Sequence, residues 1–194
     1  MKIHCLKVGP IGTNCYLVED EATKECLVID PGDDAGAISR LIEKKHLKPA
    51  AIVITHGHWD HVGANKLLKE KYNLPIMMNE EDVFGLKMTD SPAPDKNLKE
   101  DDEIKAGGLV FKVMQTPGHS PGGISLYSKE EKVVFTGDTL FYGTFGRVDL
   151  PGSFPEAMVF SLKKLLALPR ETKVYPGHGK PTTIGAEQNL LMEP

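Results

Sequence analysis

The sequence predicts an α/β fold with its chemistry gathered at strand ends. Three observations carry that prediction. The run Ala50-Ala51-Ile52-Val53-Ile54 is apolar without alternation and rich in β-branched residues, as in a strand buried on both faces. Helical spacing of apolar residues stands between such runs, as at Ala37, Ile38, Leu41 and Ile42. Four strand-like runs each lead within a few residues into Thr or Pro, a Gly, and a His or Asp. Open α/β sheets place their ligand sites at such ends.

The totals set bounds. A chain of 194 residues fits one domain, spanning 1–194. It can bury roughly 70% of its unfolded surface, so metal need not be its only source of stability. A net charge of −4 argues against a general nucleic-acid binder and leaves a small molecule as the expected partner. Oligomeric state is not legible. No apolar run is long enough for a secretory leader or a membrane span. Cys5, Cys15 and Cys26 have no CxxC spacing and read as free thiols packed in N-terminal strands. The expected location is therefore cytoplasmic.

Residues 1–8 alternate as a strand, and 9–14 turn on Gly9, Pro10 and Gly12. Residues 15–18 and 26–29 are short strands, joined as a hairpin through 20–24. The second ends in Asp30-Pro31-Gly32, where Asp30 reads as a turn residue, or as support behind metal ligands, rather than as a ligand. A helix is predicted over 33–45, with Asp33 or Asp34 as its cap. Pro49 closes that unit and the strand 50–54 follows. A helix over 62–72, a strand over 75–78 and a helix over 80–88 come next. Residues 89–106 read as a solvated loop, or alternatively as a flap over the substrate. Strands are then expected at 109–114, 132–135 and 173–175.

Thr55-His56-Gly57-His58-Trp59-Asp60-His61 follows the buried strand. Imidazole and carboxylate suit zinc, iron or manganese. In extended chain His56 and His58 point the same way and can grip one ion, while Asp60 and His61, past the strand, can face a second. The later strands lead into Thr116-Pro117-Gly118-His119, Thr136-Gly137-Asp138 and Pro176-Gly177-His178. Convergence of all four ends at one edge of a sheet would gather His56, His58, Asp60, His61, His119, Asp138 and His178. His4 and His46 are left out, the first as structural and the second at a helix end where it suits the dipole.

The motif Thr-His-x-His-x-Asp-His at 55–61, with His119, Asp138 and His178 after it, resembles the metallo-β-lactamase superfamily. The resemblance covers essentially the whole chain. It implies an αββα four-layer sandwich of two mixed β-sheets with helices on both outer faces. It implies that His56, His58 and His119 bind one metal, that Asp60, His61 and His178 bind another, and that Asp138 bridges them. Two divalent ions are then expected, zinc first, with iron or manganese as alternatives.

The stretch Gly137-Asp138-Thr139-Leu140-Phe141, followed by Gly146-Arg147-Val148-Asp149-Leu150-Pro151-Gly152, is similar to the glyoxalase II group, the hydroxyacylglutathione hydrolases. That implies hydrolysis of a small thioester by a metal-held hydroxide, with Asp60 and Asp138 as catalytic carboxylates. Arg147 would contact the glutathione part, or else pair with Asp149. Little chain follows His178, so the likeness is to the short members that lack the helical C-terminal domain. True β-lactamases usually carry Cys in place of Asp138 or lack a counterpart of His61, so antibiotic hydrolysis is not the expected role. An iron-dependent persulfide dioxygenase using His56, His119 and Asp138 is the alternative, a lactone or other ester hydrolase the next, and a non-catalytic metal-stabilised module the last.

Overall fold

A computed structural model describes residues 1–191. The first sheet opens as an antiparallel meander of β1 (Lys2–Val8), β2 (Thr13–Glu19) and β3 (Glu25–Ile29). Helix α1 (Ala35–Lys45) then crosses to β4 (Lys48–Val53), parallel to β3. Helices α2 (Trp59–Val62) and α3 (Asn65–Tyr72) lead to β5 (Ile76–Met78), and a 3-10 segment, Glu80–Met88, leads to β6 (Lys96–Asn97), both strands parallel to β4. The second sheet runs antiparallel through β7 (Glu103–Ala106), β8 (Leu109–Gln115), β9 (Ile124–Ser128) and β10 (Val133–Gly137). A small hairpin, β11 (Leu140–Phe141) and β12 (Thr144–Phe145), precedes helix α4 (Pro155–Leu166). Strand β13 (Lys173–Pro176) returns parallel to β10, and β14 (Thr182–Thr183) and α5 (Ile184–Glu187) close the order.

Side-chain alternation sorts these elements into four layers. On the outer face of the first sheet, Leu17, Val28 and Ile52 pack with Ile38 and Ile42 of α1 and Leu68 of α3. Their neighbours in sequence, Val18, Leu27, Ile29 and Val53, point the other way, against Phe111, Val113, Leu126 and Phe135 of the second sheet. Met114, Val134 and Val174 face outward again, under Met158, Leu162 and Leu165 of α4 and Ile184 of α5. Both sheet faces are covered, which is why the central strands read as continuous apolar runs. The arrangement is the αββα sandwich.

Several expectations are corrected in detail. The helix over 62–72 is two helices, because the Gly63 and Ala64 N–H groups donate to the Gly32 and Pro31 carbonyls rather than back into a helix. Asp34 occupies the cap position of α1, but in a left-handed conformation, and its carboxylate takes the Gly9 N–H instead. Residues 80–88 form a 3-10 rather than an α-helix, capped by the Asn79 side chain. The loop expected over 89–106 contains β6, β7 and the fully buried Leu98. Cys15 and Cys26 are buried as expected, whereas Cys5 is exposed. Among the described residues no helix is long and apolar enough to cross a membrane.

Candidate metal centre

Donor side chains arrive from the ends of β4, β8, β10 and β13 and from α2. Strand β4 lies in the first sheet and the other three in the second, so the expected single sheet edge is in fact a seam between two sheets. Residues of β2 close the seam. The Tyr16 hydroxyl donates to the Pro176 carbonyl at 2.6 Å, and the Asn14 amide donates to the Pro176 and Gly179 carbonyls at 3.0 Å each. This fixes the turn that carries His178. Gly177 within it must lack a side chain, since a Cβ there would collide with the Asp138 carboxylate and the His61 ring.

The chain bends at Thr55 and His56 on leaving β4, so the two histidines do not share one extended run as expected; it is extended again at His58, and the single turn of α2 then presents Asp60 and His61. The donor atoms form three sets, each within 4.8 Å: His56, His58 and His119; His56, His61 and Asp138; Asp60, His61 and His178. Asp138 stands between them. Its oxygens lie 3.6 Å from His61 Nε2, 3.6 Å from His119 Nε2 and 3.5 Å from His178 Nε2. Asp60 Oδ2 lies 3.3 Å from His61 Nε2 and 3.2 Å from His178 Nε2. Two donors held tetrahedrally at about 2.1 Å from one zinc-sized ion stand about 3.4 Å apart, so these separations suit shared ions.

Unpartnered atoms point the same way. His56 Nε2, His61 Nε2 and Asp138 Oδ1 are buried with no hydrogen-bond partner. Such orphans are few in folded proteins and call for an occupant. The opposite ring nitrogens are held. His61 Nδ1 meets Asp30 Oδ2 at 3.0 Å, and His119 Nδ1 donates to the Arg147 carbonyl at 2.8 Å, which turns each Nε2 toward the cluster, where that of His119 accepts from His58 Nδ1 at 2.9 Å. Asp30 also accepts the Thr55 N–H and hydroxyl, at 2.7 and 2.6 Å. It is at once a turn residue, with φ 50°, and the support behind His61.

Two supporting residues lie outside the sequence reading. Thr13, read as part of a turn, donates its hydroxyl to Asp60 Oδ2 at 2.8 Å. Asp82, in the run Glu80-Glu81-Asp82, accepts the Gly57 N–H at 2.9 Å, the Ser120 hydroxyl at 2.7 Å and the Gly122 N–H at 2.6 Å. It ties the His58 loop to the His119 loop. Only a polar residue at the entry to a helical segment signalled it.

The electrostatics divide the site. Burial, and then the neighbouring imidazoles, hold His56 and His58 below the usual histidine range, which keeps them neutral and able to ligate. Burial also opposes charge on His61, but Asp30 and Asp138 outweigh it and raise its pKa. A hydrogen bond to Asp60 raises His178. Asp60 is buried, yet contacts from His178, His61 and Thr13 hold its carboxyl well below the usual range. The carboxylate end therefore calls for positive charge, and a divalent cation fits it.

Above these residues lies a cleft of about 440 Å³, floored by His58, Asp60, His119, Asp138 and His178. Arg147 is on its wall, and its guanidinium makes two bonds to Asp149, at 2.7 and 2.8 Å. Both readings of Arg147 thus have a structural basis, since the pair is exposed on the rim. No residue of 89–106 lines this cleft. His4 pairs with Glu19 at 2.7 Å, and His46 ends α1, so neither joins the site.

A family model described as the metallo-beta-lactamase superfamily matches residues 8–178. Hydroxyacylglutathione hydrolase GloC of Haemophilus influenzae is 37% identical over 203 residues, covering 97% of this chain and 95% of its own. Among solved structures, the BLEG-1 B3 metallo-beta-lactamase superimposes with a TM-score of 0.91 at 34% identity, over 97% of each chain. TTHA1623 in a di-iron-bound form gives a TM-score of 0.85 at 40% identity, over 95% of this chain and 96% of its own.

Proposed function

The chain belongs to the metallo-beta-lactamase superfamily, and from that premise we propose that it is a two-metal thioester hydrolase of the glyoxalase II type, releasing a 2-hydroxy acid and a thiol. The arrangement around Asp138 carries the reading. A purely structural zinc site closes with four ligands, whereas here separate donor sets flank one carboxylate beside an open cleft. Similarity to GloC along nearly the whole chain supports the choice of substrate class.

We assign His56, His58 and His119 to one ion and Asp60, His61 and His178 to the other, with Asp138 between them. The donors suit zinc, and they also accept iron or manganese; the di-iron form of TTHA1623 supports the second choice. Bound ions would supply Lewis acidity, bringing a water's pKa to roughly 7 and polarising the thioester carbonyl.

The chain's own residues do the positioning. Thr13 and the two imidazoles engage Asp60 through Oδ2, which leaves Oδ1 to accept a hydrogen bond from the attacking water. Asp30 and the Arg147 carbonyl stop the His61 and His119 rings from rotating. The thiol leaves as a thiolate, and since thiols ionise near 8.5 no strong acid is required. On the rim, the Arg147 guanidinium can exchange Asp149 for a carboxylate on the thiol portion.

The test is initial-rate hydrolysis of S-D-lactoylglutathione by metal-replete protein, beside a small lactoyl thioester lacking glutathione and a β-lactam control. Preference for the glutathione substrate supports the reading. Equal rates on both thioesters make the protein a general thioesterase. No thioester hydrolysis, with oxygen uptake on a persulfide, overturns it in favour of the dioxygenase.

A further inference from the structure

A second groove of about 410 Å³ opens beside the cleft and shares His58, Trp59 and Pro151 with it. Its remaining apolar walls are Phe84, Met88 and Pro121. Trp59, Phe84 and Met88 are 54%, 73% and 90% exposed. Single bare apolar side chains are ordinary on a surface, but several around one concavity mark a binding site.

The groove is firmly built. Asp82 fastens the segment Glu80–Met88 to the loops that carry His58 and His119 through its bonds to Gly57, Ser120 and Gly122. Gly57 and Gly85 pack backbone to backbone, and a Cβ on either would overlap the opposing segment. Phe84 and Met88 are thereby set at a defined distance from the candidate metal donors. Both Asp82 oxygens are taken up by these bonds, which leaves Glu81 as the other carboxylate on the groove's lining.

We propose that this groove is the subsite for a hydrocarbon portion of the substrate, an alkyl or aryl group of medium length carried on the thioester. The proposal rests on the thioesterase reading above. Continuity with the donor-lined cleft through His58 and Trp59 identifies the occupant as part of the molecule whose carbonyl reacts there. A folded protein partner would need about 800 Å² of surface on its side, and a concave groove of this volume suits a side chain of a small molecule instead.

Trp59 is the chain's one tryptophan, so its fluorescence reports the groove without turnover. The probes are S-hexylglutathione and S-methylglutathione, neither of which can be hydrolysed. The hexyl compound should shift Trp59 emission to the blue and bind at least about tenfold more tightly than the methyl compound. Phe84→Ser and Met88→Ser should each reduce that ratio severalfold; both positions are exposed, so folding is not at stake. Equal affinities, or a ratio that neither substitution changes, would overturn the proposal.

Turnover then locates the group. A 2-hydroxyoctanoyl thioester is compared with the lactoyl thioester of the same thiol, and a hexanethiol lactoyl ester with the methanethiol one. Preference in the first pair places the acyl chain in the groove, and preference in the second places the thiol's chain there. Hydrolysis with no preference in either pair sinks the subsite and leaves the thioesterase reading standing. A retained fluorescence ratio without any thioester hydrolysis sinks the thioesterase reading and leaves an apolar subsite.

Discussion

At Asp138 one carboxylate stands within 3.6 Å of imidazole nitrogens from three separate segments. Asp138→Ala should lower kcat by at least about a hundredfold, together with bound metal, read by initial rates and elemental analysis. Near-normal turnover by a metal-replete variant would contradict the two-ion scheme. Asp30→Ala should leave the donors in place but weaken metal binding by about 10- to 100-fold, measured by competition with a chelator. Glu19 offers a pH test away from the site. Burial opposes its ionisation, but Lys24 at 2.6 Å and His4 at 2.7 Å more than compensate, and its pKa is lowered. A lowered acid stabilises the fold above its unfolded pKa of about 4.3 and loses that contribution as pH falls through its folded value. The Tm gap between wild type and Glu19→Gln should therefore be full near neutral pH and close below about pH 4; a gap that persists in acid would refute it. The clustering of these seven side chains was legible because His and Asp after apolar runs are chemically conspicuous. Thr13 and Asp82 were not, because each is an ordinary turn or helix-entry residue until tertiary approach gives it a partner.

Among the elements, the segment Glu80–Met88 shows best how local signals fall short. A helix was expected there, and it is helical, but the close approach of Gly85 to Gly57 goes with the tighter 3-10 form. Asp82→Ala would strand the buried Gly57 and Gly122 N–H groups, costing about 2 kcal/mol or more and lowering Tm by at least about 5 °C. An unchanged melting curve would remove Asp82 from its role as a clamp. The split between α2 and α3 was likewise illegible, since the competing acceptors at Pro31 and Gly32 come from a distant loop. Helix α4 and strand β9 differ in kind. Met158, Leu162 and Leu165 are helically spaced behind Pro155, and Ile124 and Leu126 alternate, so both elements were present in the pattern and went unread.

For the molecule as a whole, the layered core follows from apolar runs whose alternate residues face opposite layers. What the runs could not tell was which sheet each strand joins, so the site was expected at one edge and is found on a seam. A core in three layers should hold the fold together without bound ions. Metal-free protein should keep its far-UV circular dichroism and melt cooperatively, at a Tm that rises with added metal; an unfolded apo-protein would show the reverse. The bonds from Asn14 and Tyr16 to Pro176 span sequence separations of 162 and 160 residues. That reach orders events during synthesis. A nascent chain that has emerged only through β6 owns His56, His58, Asp60 and His61, but has no second sheet to complete the seam. It holds an unmatched inner face and half a chelate until the last strands leave the ribosome. On the two-ion reading, ion loading would therefore wait for the slow long-range pairing that brings β13 beside β10.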